Sequence, residues 1–160
     1  MKIDIVKANY LNPNHAKDIA FLMDTYATDP MGGGKALPEK VKNNLAKELS
    51  KLPHALTVIC YVDGNPVGLM NCFEAFSTFA CQPLINIHDV IVLKEYRENG
   101  LNQKMLKKVE DIAIAKGCCK LTLEVLSGNM IAKKSYSKFG FSSYELDSKT
   151  GNALFWQKVL

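Results

Sequence analysis

The chain has 160 residues, 48% hydrophobic and 22% charged, with a formal net charge of +4 at pH 7. That length and balance suit one globular domain spanning residues 1–160, able to bury a core without disulfides or a structural metal and free of low-complexity tracts. No run approaches the ~20 apolar residues of a membrane-spanning helix, Met1-Lys2-Ile3-Asp4-Ile5 lacks the apolar core of a signal peptide, and no lysine block interleaves with aromatics as nucleic-acid binding asks. The expectation is a cytoplasmic protein with no membrane and no nucleic-acid partner. The five cysteines, Cys60, Cys72, Cys81, Cys118 and Cys119, are odd in number and show no metal-ligand spacing. They read as small, mostly buried residues of a reducing compartment, with no metal site.

In chain order, Lys2 to Ala8 alternates apolar and polar residues and predicts a first strand. Asn14 is a candidate N-cap for a helix whose stripe is Ile19, Leu22, Met23 and Tyr26, ended by Asp29-Pro30. Gly32-Gly33-Gly34 then forms either a mobile loop or one needing unusual dihedrals. A second helix spans Pro38 to Ser50, with Val41, Leu45 and Leu49 turned inward. Asp63-Gly64-Asn65 separates Thr57–Val62 from Pro66–Phe76 and predicts a hairpin. A strand from Gln82 to Leu93 follows.

Leu101, Met105, Val109, Ile112 and Ala113 mark a long helix ended by Gly117, and Lys120 to Leu126 alternates as a strand. A short helix from Asn129 to Lys138 closes at Gly140, and Phe141–Leu146 with Leu154–Val159 predicts a last strand pair around Thr150-Gly151-Asn152. The sum is a mixed α/β sheet.

Between the strand 85–92 and the helix at Leu101 lies Arg97-Glu98-Asn99-Gly100-Leu101-Asn102, carrying the only arginine of the chain. A strand that stops at a loop and restarts as a helix leaves unpaired backbone N–H groups near the positive end of the helix dipole, which is an anion site. A solitary arginine on a solvated loop is the plain alternative.

With that loop and the segment Asn129 to Phe141 in hand, the chain resembles the GNAT superfamily of N-acetyltransferases. Asn129, Ala132, Tyr136 and Gly140-Phe141 fall at the family's spacing. The loop motif R/Q-x-x-G-x-G/A is met at Arg97 and Gly100, while Asn102 replaces its last residue and Glu98 a glycine common there. The resemblance implies a GNAT-like acyl-CoA N-acyltransferase fold: a mostly antiparallel mixed sheet of six to seven strands with about four helices. It further implies acetyl-CoA as co-substrate, held by residues 97 to 102, by Val90, Ile91 and Val92, and by Asn129 and Ala132. Transfer is direct, to a primary amine, and Tyr136 matches the tyrosine that protonates the leaving thiolate. The layout Phe76-Ser77-Thr78-Phe79 to Pro83 to His88-Asp89 is similar to the diamine and thialysine branch, whose members carry an acidic pair at the last two positions. A small amine, a polyamine or an amino-acid derivative, is therefore the expected acceptor. Sheet edges in such folds often pair, which leaves a homodimer open.

The chemistry asks for the same groups, since an ammonium must lose a proton before attacking and a thiolate leaves more readily with a donor nearby. His88 and Asp89 are the candidates for base or water-mediated relay, because imidazoles ordinarily titrate near neutral pH. Structural alternatives stand beside these roles. His88 can be a hydrogen-bonded strand residue that Asp89 orients, Tyr136 a core aromatic, and Asn129 a helix N-cap. Asp24, Asp29 and Glu74 offer charge for a cationic amine near the glycine loop, or are plain surface. The Cβ of Asn102 and the carboxylate of Glu98 stand against a pyrophosphate, and motivate a catalytically weak acyl-CoA sensor as the rival reading. An acetyltransferase of a peptide or protein amine is the other.

Overall fold

The computed structural model describes residues 1–160. Its elements are β1 (Ile3–Lys7), α1 (Pro13–Thr28), α2 (Glu39–Ser50), β2 (Ala55–Val62), β3 (Asn65–Ser77), β4 (Gln82–Val92), α3 (Leu101–Ala115), β5 (Leu121–Leu123) and α4 (Met130–Phe139). Two compact units result, Met1–Leu123 and Glu124–Leu160.

In the first unit the five strands lie in sequence order, antiparallel from β1 to β4, with β5 parallel to β4. Asp63 and Gly64 take φ of 48° and 85° and close the β2–β3 hairpin with Val62 opposite Asn65, the left-handed pair that a two-residue turn needs. Ile59, Leu69 and Ile91 pack with Ile19 and Leu22 of α1 in one buried cluster. Met105 of α3 lies against Gly68, the neighbour of Leu69, and successive strand residues face opposite sides. Helices therefore cover both faces of the sheet, α1 on one and α3 on the other, and the mixed α/β expectation holds.

Several boundaries differ. Asn12, not Asn14, caps α1, its side chain accepting from the amides of Asn14 and His15, because Pro13 has no N–H and sits naturally at the first helical position. Pro38 stands just before α2 rather than in its first turn, and Val41 is exposed while Ala46 and Leu49 carry the buried face. Only Cys60 and Cys72 are buried, whereas Cys81 and Cys119 are exposed. Burial pushes the Cys60 thiol up to about 11 and, with Asp89 adding to the effect, the Cys72 thiol up to about 12, so both are inert packing groups.

The second unit holds α4 and a short bridge. The expected strand pair at 141–146 and 154–159 is absent: only Glu145 and Asn152 pair, and the strand count is five rather than six or seven. Asp147 accepts from the backbone of Lys149 and Thr150 and from the Thr150 hydroxyl, a local turn whose side-chain bonds compete with a ladder. No helix of the chain is long and apolar enough to cross a membrane.

Candidate functional site

The central feature of β4 is a bulge. Asn71 of β3 pairs with Asp89, but its neighbour Cys72 pairs with Ile87, so His88 is an extra residue without a partner. A bulge reverses which face each later residue takes. Ile85 and Ile87 therefore share the α3 face with Cys72, while Asp89 and Ile91 turn to the α1 face.

On that face Asp89 joins a line of polar groups. Asn71 Nδ2 donates to Asp89 Oδ2 at 2.9 Å and touches the Met23 sulfur at 3.2 Å, Thr57 Oγ1 donates to Asn71 Oδ1 at 2.7 Å, and the Tyr10 hydroxyl lies 3.0 Å from Thr57 Oγ1. Tyr26 completes the surroundings, its phenol raised by burial first and then by the Asp89 and Asp29 carboxylates. His88 does not share this arrangement. It is exposed, and its ring meets Phe73 edge-on at 5.6 Å. Asp89 is thus oriented by Asn71, and the relation in which Asp89 orients His88 is replaced.

β4 pairs with β5 only over Ile85 to Ile87. From Asp89 to Val92 that edge of β4 has no strand beside it, and apart from the Val92 carbonyl, which accepts from Arg97 Nε, it offers backbone groups to an extended ligand bearing amides. The run Val90, Ile91, Val92 leads to the loop at 97–102. There Glu98 and Gly100 take left-handed φ of 67° and 71°, and Asn99 Nδ2 ties down the carbonyls of Tyr96 and Arg97. With carbonyls held back and the N-terminus of α3 lacking a side-chain cap, the loop at 98–102 has the form of an anion site. These residues fit a pyrophosphate. Asn102 lies in the first turn of α3, and Glu98 is the loop's non-glycine residue with a left-handed φ.

Arg97 is already engaged. Its Nε donates to the Val92 carbonyl at 3.0 Å and its Nη2 to Asp29 Oδ2 at 3.1 Å. Asp29 organises the glycine segment, its side chain accepting from Met31 N and its carbonyl from Gly32 N and Gly34 N. The Met31 amide, then the Arg97 guanidinium, hold the Asp29 carboxyl below its ordinary range. Gly33 and Gly34 adopt φ of 114° and 73°, so unusual dihedrals, rather than freedom, explain the glycines.

The carboxylates proposed for a cationic amine are largely engaged. Asp24 takes the Leu37 amide and lies 3.6 Å from Lys42, Asp29 takes Arg97, and Glu74 takes Lys116 at 2.9 Å. Asp89 has a neutral donor and no cation.

In the second unit, Asn129 caps α4, its Oδ1 accepting from Ala132 N at 3.2 Å. Gly140 takes φ of 114°, and Gly140 N and Phe141 N return to the Tyr136 carbonyl. Tyr136 is buried, with Phe141 edge-on to its ring at 5.9 Å, and Lys133 and Lys134 are exposed.

Sequence reasoning missed Tyr10, Thr57 and Asn71. The signal was present, because Thr57 and Asn71 each interrupt an apolar strand, between Leu56 and Val58 and between Met70 and Cys72. A lone polar residue in a buried strand needs a partner.

Comparison with known proteins adds identity to this geometry. The family model for the acetyltransferase (GNAT) family matches residues 20–141. The thialysine N-epsilon-acetyltransferase of Bos taurus is 41% identical over 56 residues, 35% of this chain and 33% of the relative. The chain thus spans about a third of the length of that curated relative. Among solved structures, the aminoglycoside acetyltransferase AAC(6')-Iy in complex with the bisubstrate analog CoA-S-monomethyl-acetylneamine aligns with a TM-score of 0.78 at 18% identity, covering 100% of both chains. A ribosomal-protein-alanine N-acetyltransferase from Brucella melitensis biovar Abortus 2308 aligns with a TM-score of 0.69 at 19% identity, covering 91% of this chain and 99% of that one. At such identities the likeness concerns the fold alone, but the family match covers most of the sequence, and the chain belongs to the GNAT family of acetyltransferases.

Proposed function

We propose that residues 1–160 act as one catalytic domain, an N-acetyltransferase that uses acetyl-CoA to acetylate a small primary amine. The observation that carries this is the edge of β4 without a neighbouring strand, which runs from Asp89 through Val92 towards the loop at 98–102. The family match at 20–141, which crosses the boundary between the two units, supports treating them as one domain.

Bound acetyl-CoA supplies a thioester, whose acetyl C–S bond breaks as the C–N bond to the amine forms. The amides of Glu98, Asn99, Gly100, Leu101 and Asn102 hold the pyrophosphate, and the backbone at Val90 to Val92 takes the pantetheine amides. Asn129 and Ala132 are already bonded to each other and serve the site by fixing the start of α4. Asp89 holds a cationic nitrogen of the acceptor, His88 accepts the proton that the reacting amine must lose, directly or through water, and Tyr136 returns a proton to the leaving thiolate.

Titration calorimetry with acetyl-CoA, with desulfo-CoA as the non-reactive control, tests the cofactor half of this reading, and saturable binding at one site is expected. An acceptor panel of spermidine, thialysine, an aminoglycoside and N-terminal and lysine peptides tests the other half. Turnover confined to small amines is the expected result; turnover confined to peptides would move the substrate to a protein amine. One feature favours a second reading, an acyl-CoA sensor: the loop carries the acidic residue Glu98 at a strained position. Tight acetyl-CoA binding with no turnover of any amine would support it.

A further inference from the structure

We propose that Asn71 is a positioning residue for acceptor recognition, aiming the Asp89 carboxylate at the amine through a one-way chain of hydrogen bonds begun by Tyr10 and Thr57. The proposal rests on the acetyltransferase reading and on Asp89 as the group that meets the ammonium.

The direction of the chain follows from what each group can do. A carboxylate only accepts, so Asn71 must present Nδ2 to Asp89 and Oδ1 to Thr57. Thr57 has one proton, given to Asn71, and can then only accept from the Tyr10 hydroxyl. Every donor points the same way, and such chains polarise one another in a low-dielectric interior. Thr57 is 0% exposed and Asn71 4%.

Stability alone does not ask for this. At a position between buried Met70 and Cys72, an apolar side chain would fill the space with no polar group to satisfy. Placing an amide there has a directed consequence. It fixes Asp89 Oδ2 on a half-exposed residue that follows the bulge. Tyr26 stays a neutral phenol nearby, because burial first and then the Asp89 and Asp29 carboxylates raise its pKa. The substrate class that fits is a small amine bearing a second cationic nitrogen, one nitrogen held by Asp89 and the other free to react.

The test compares Asn71→Leu, Thr57→Val, Asp89→Asn and the Asn71→Leu/Asp89→Asn double variant. Readouts are the KM of spermidine, kcat, and the acetyl-CoA dissociation constant by calorimetry. Asn71→Leu should raise the spermidine KM about tenfold, the scale of one charge-assisted hydrogen bond. Thr57→Val should act in the same direction to a lesser extent, and acetyl-CoA affinity should stay within about twofold. The double variant should be no worse than Asp89→Asn. A residue that only supports the fold would leave the spermidine KM of the folded fraction unchanged, and that result, or additive losses in the double variant, overturns the proposal. Wild-type protein that turns over no amine defeats the acetyltransferase reading instead. In that case the side-chain amide resonances of Asn71 decide: they must shift on adding spermidine to wild-type protein and not to Asp89→Asn, and their indifference overturns the proposal.

Discussion

The Arg97 guanidinium bridges two segments, donating through Nη2 to Asp29 Oδ2 at 3.1 Å while its Nε donates to the carbonyl of Val92 at 3.0 Å. The anion loop and the glycine segment after α1 are thereby joined through one planar group. Arg97 works as a clasp between them.

That clasp has a pH signature. Asp29 is held below its ordinary range, first by the Met31 amide and then by Arg97, so its contribution to stability is present above the unfolded value near pH 4 and disappears as pH falls through the folded value. Asp29→Asn keeps the cap on Met31 and loses the ion pair, which at 49% and 29% side-chain exposure for Arg97 and Asp29 is screened by solvent. A loss of about 0.5–1 kcal/mol at pH 7 is expected. The deficit should shrink towards zero at a second, acid pH below the folded value. Denaturant unfolding at the two pH values measures it, and a deficit independent of pH would show that the ion pair is not its source. Arg97→Lys should behave like the loss of the clasp, since an ammonium lacks the rigid fork that meets two acceptors at once.

Glu98 offers a separable case of strain and charge. Its φ of 67° is a conformation that side chains with a Cβ occupy at a cost of roughly 1–2 kcal/mol. Glycine would relieve that cost and give back part of it in unfolded-chain entropy. Glu98→Gly should therefore be neutral to stabilising and should tighten acetyl-CoA binding severalfold. Glu98→Gln, which keeps the strain and removes the charge, should reproduce the gain in affinity without the gain in stability. Calorimetry and thermal unfolding of the pair separate the two effects. If neither variant binds more tightly, the carboxylate does not face the ligand.

How far the sequence revealed the molecule depends on what each residue's signal encodes. Asp63-Gly64 announced its hairpin, and Gly117 and Gly140 their helix ends, because left-handed dihedrals restrict which residues can serve. The bulge at His88 was hidden by its own regularity. Ile85, Ile87, Asp89 and Ile91 alternate without interruption, as if they lined one face, yet the pairing with Asn71 and Cys72 divides them between two. Periodicity records spacing along a strand, and a bulge changes the face without changing the spacing. The clasp was equally illegible, since Arg97 and Asp29 meet across 68 positions and single-chain pattern carries no long-range pairing. The terminal strands were predicted from apolar residues around a turn, and only the turn and one bridge, Glu145 to Asn152, formed.

The glycine segment allows two neighbouring substitutions to be ranked. A Cβ at Gly32 would lie 1.9 Å from the Tyr26 carbonyl oxygen, backbone that cannot step aside, whereas one at Gly33 would meet nothing within 4 Å and carry only the strain of φ 114°. Gly32→Ala should displace the 30–34 turn and lower stability by roughly 1–3 kcal/mol, with Gly33→Ala costing less. Because the turn is bonded to Asp29, the spermidine KM should rise more in Gly32→Ala. Thermal unfolding and steady-state kinetics of both variants give the order, and equal effects would mean that the turn tolerates a shift.

Tyr136 is the residue whose two readings differ most in consequence. It is buried in α4 with Phe141 edge-on at 5.9 Å, which is what a packing aromatic looks like, and phenylalanine would keep that contact. Tyr136→Phe should then leave acetyl-CoA affinity close to wild type, because the ring contact is kept. If the hydroxyl protonates the departing thiolate, kcat falls by about 10²–10⁴ while the acetyl-CoA dissociation constant moves little. Such a split marks an interaction made in the transition state alone. Single-turnover kinetics, where product release cannot mask the chemical step, are the measurement to use. An unchanged single-turnover rate would return Tyr136 to the core and leave another donor to be found for the thiolate.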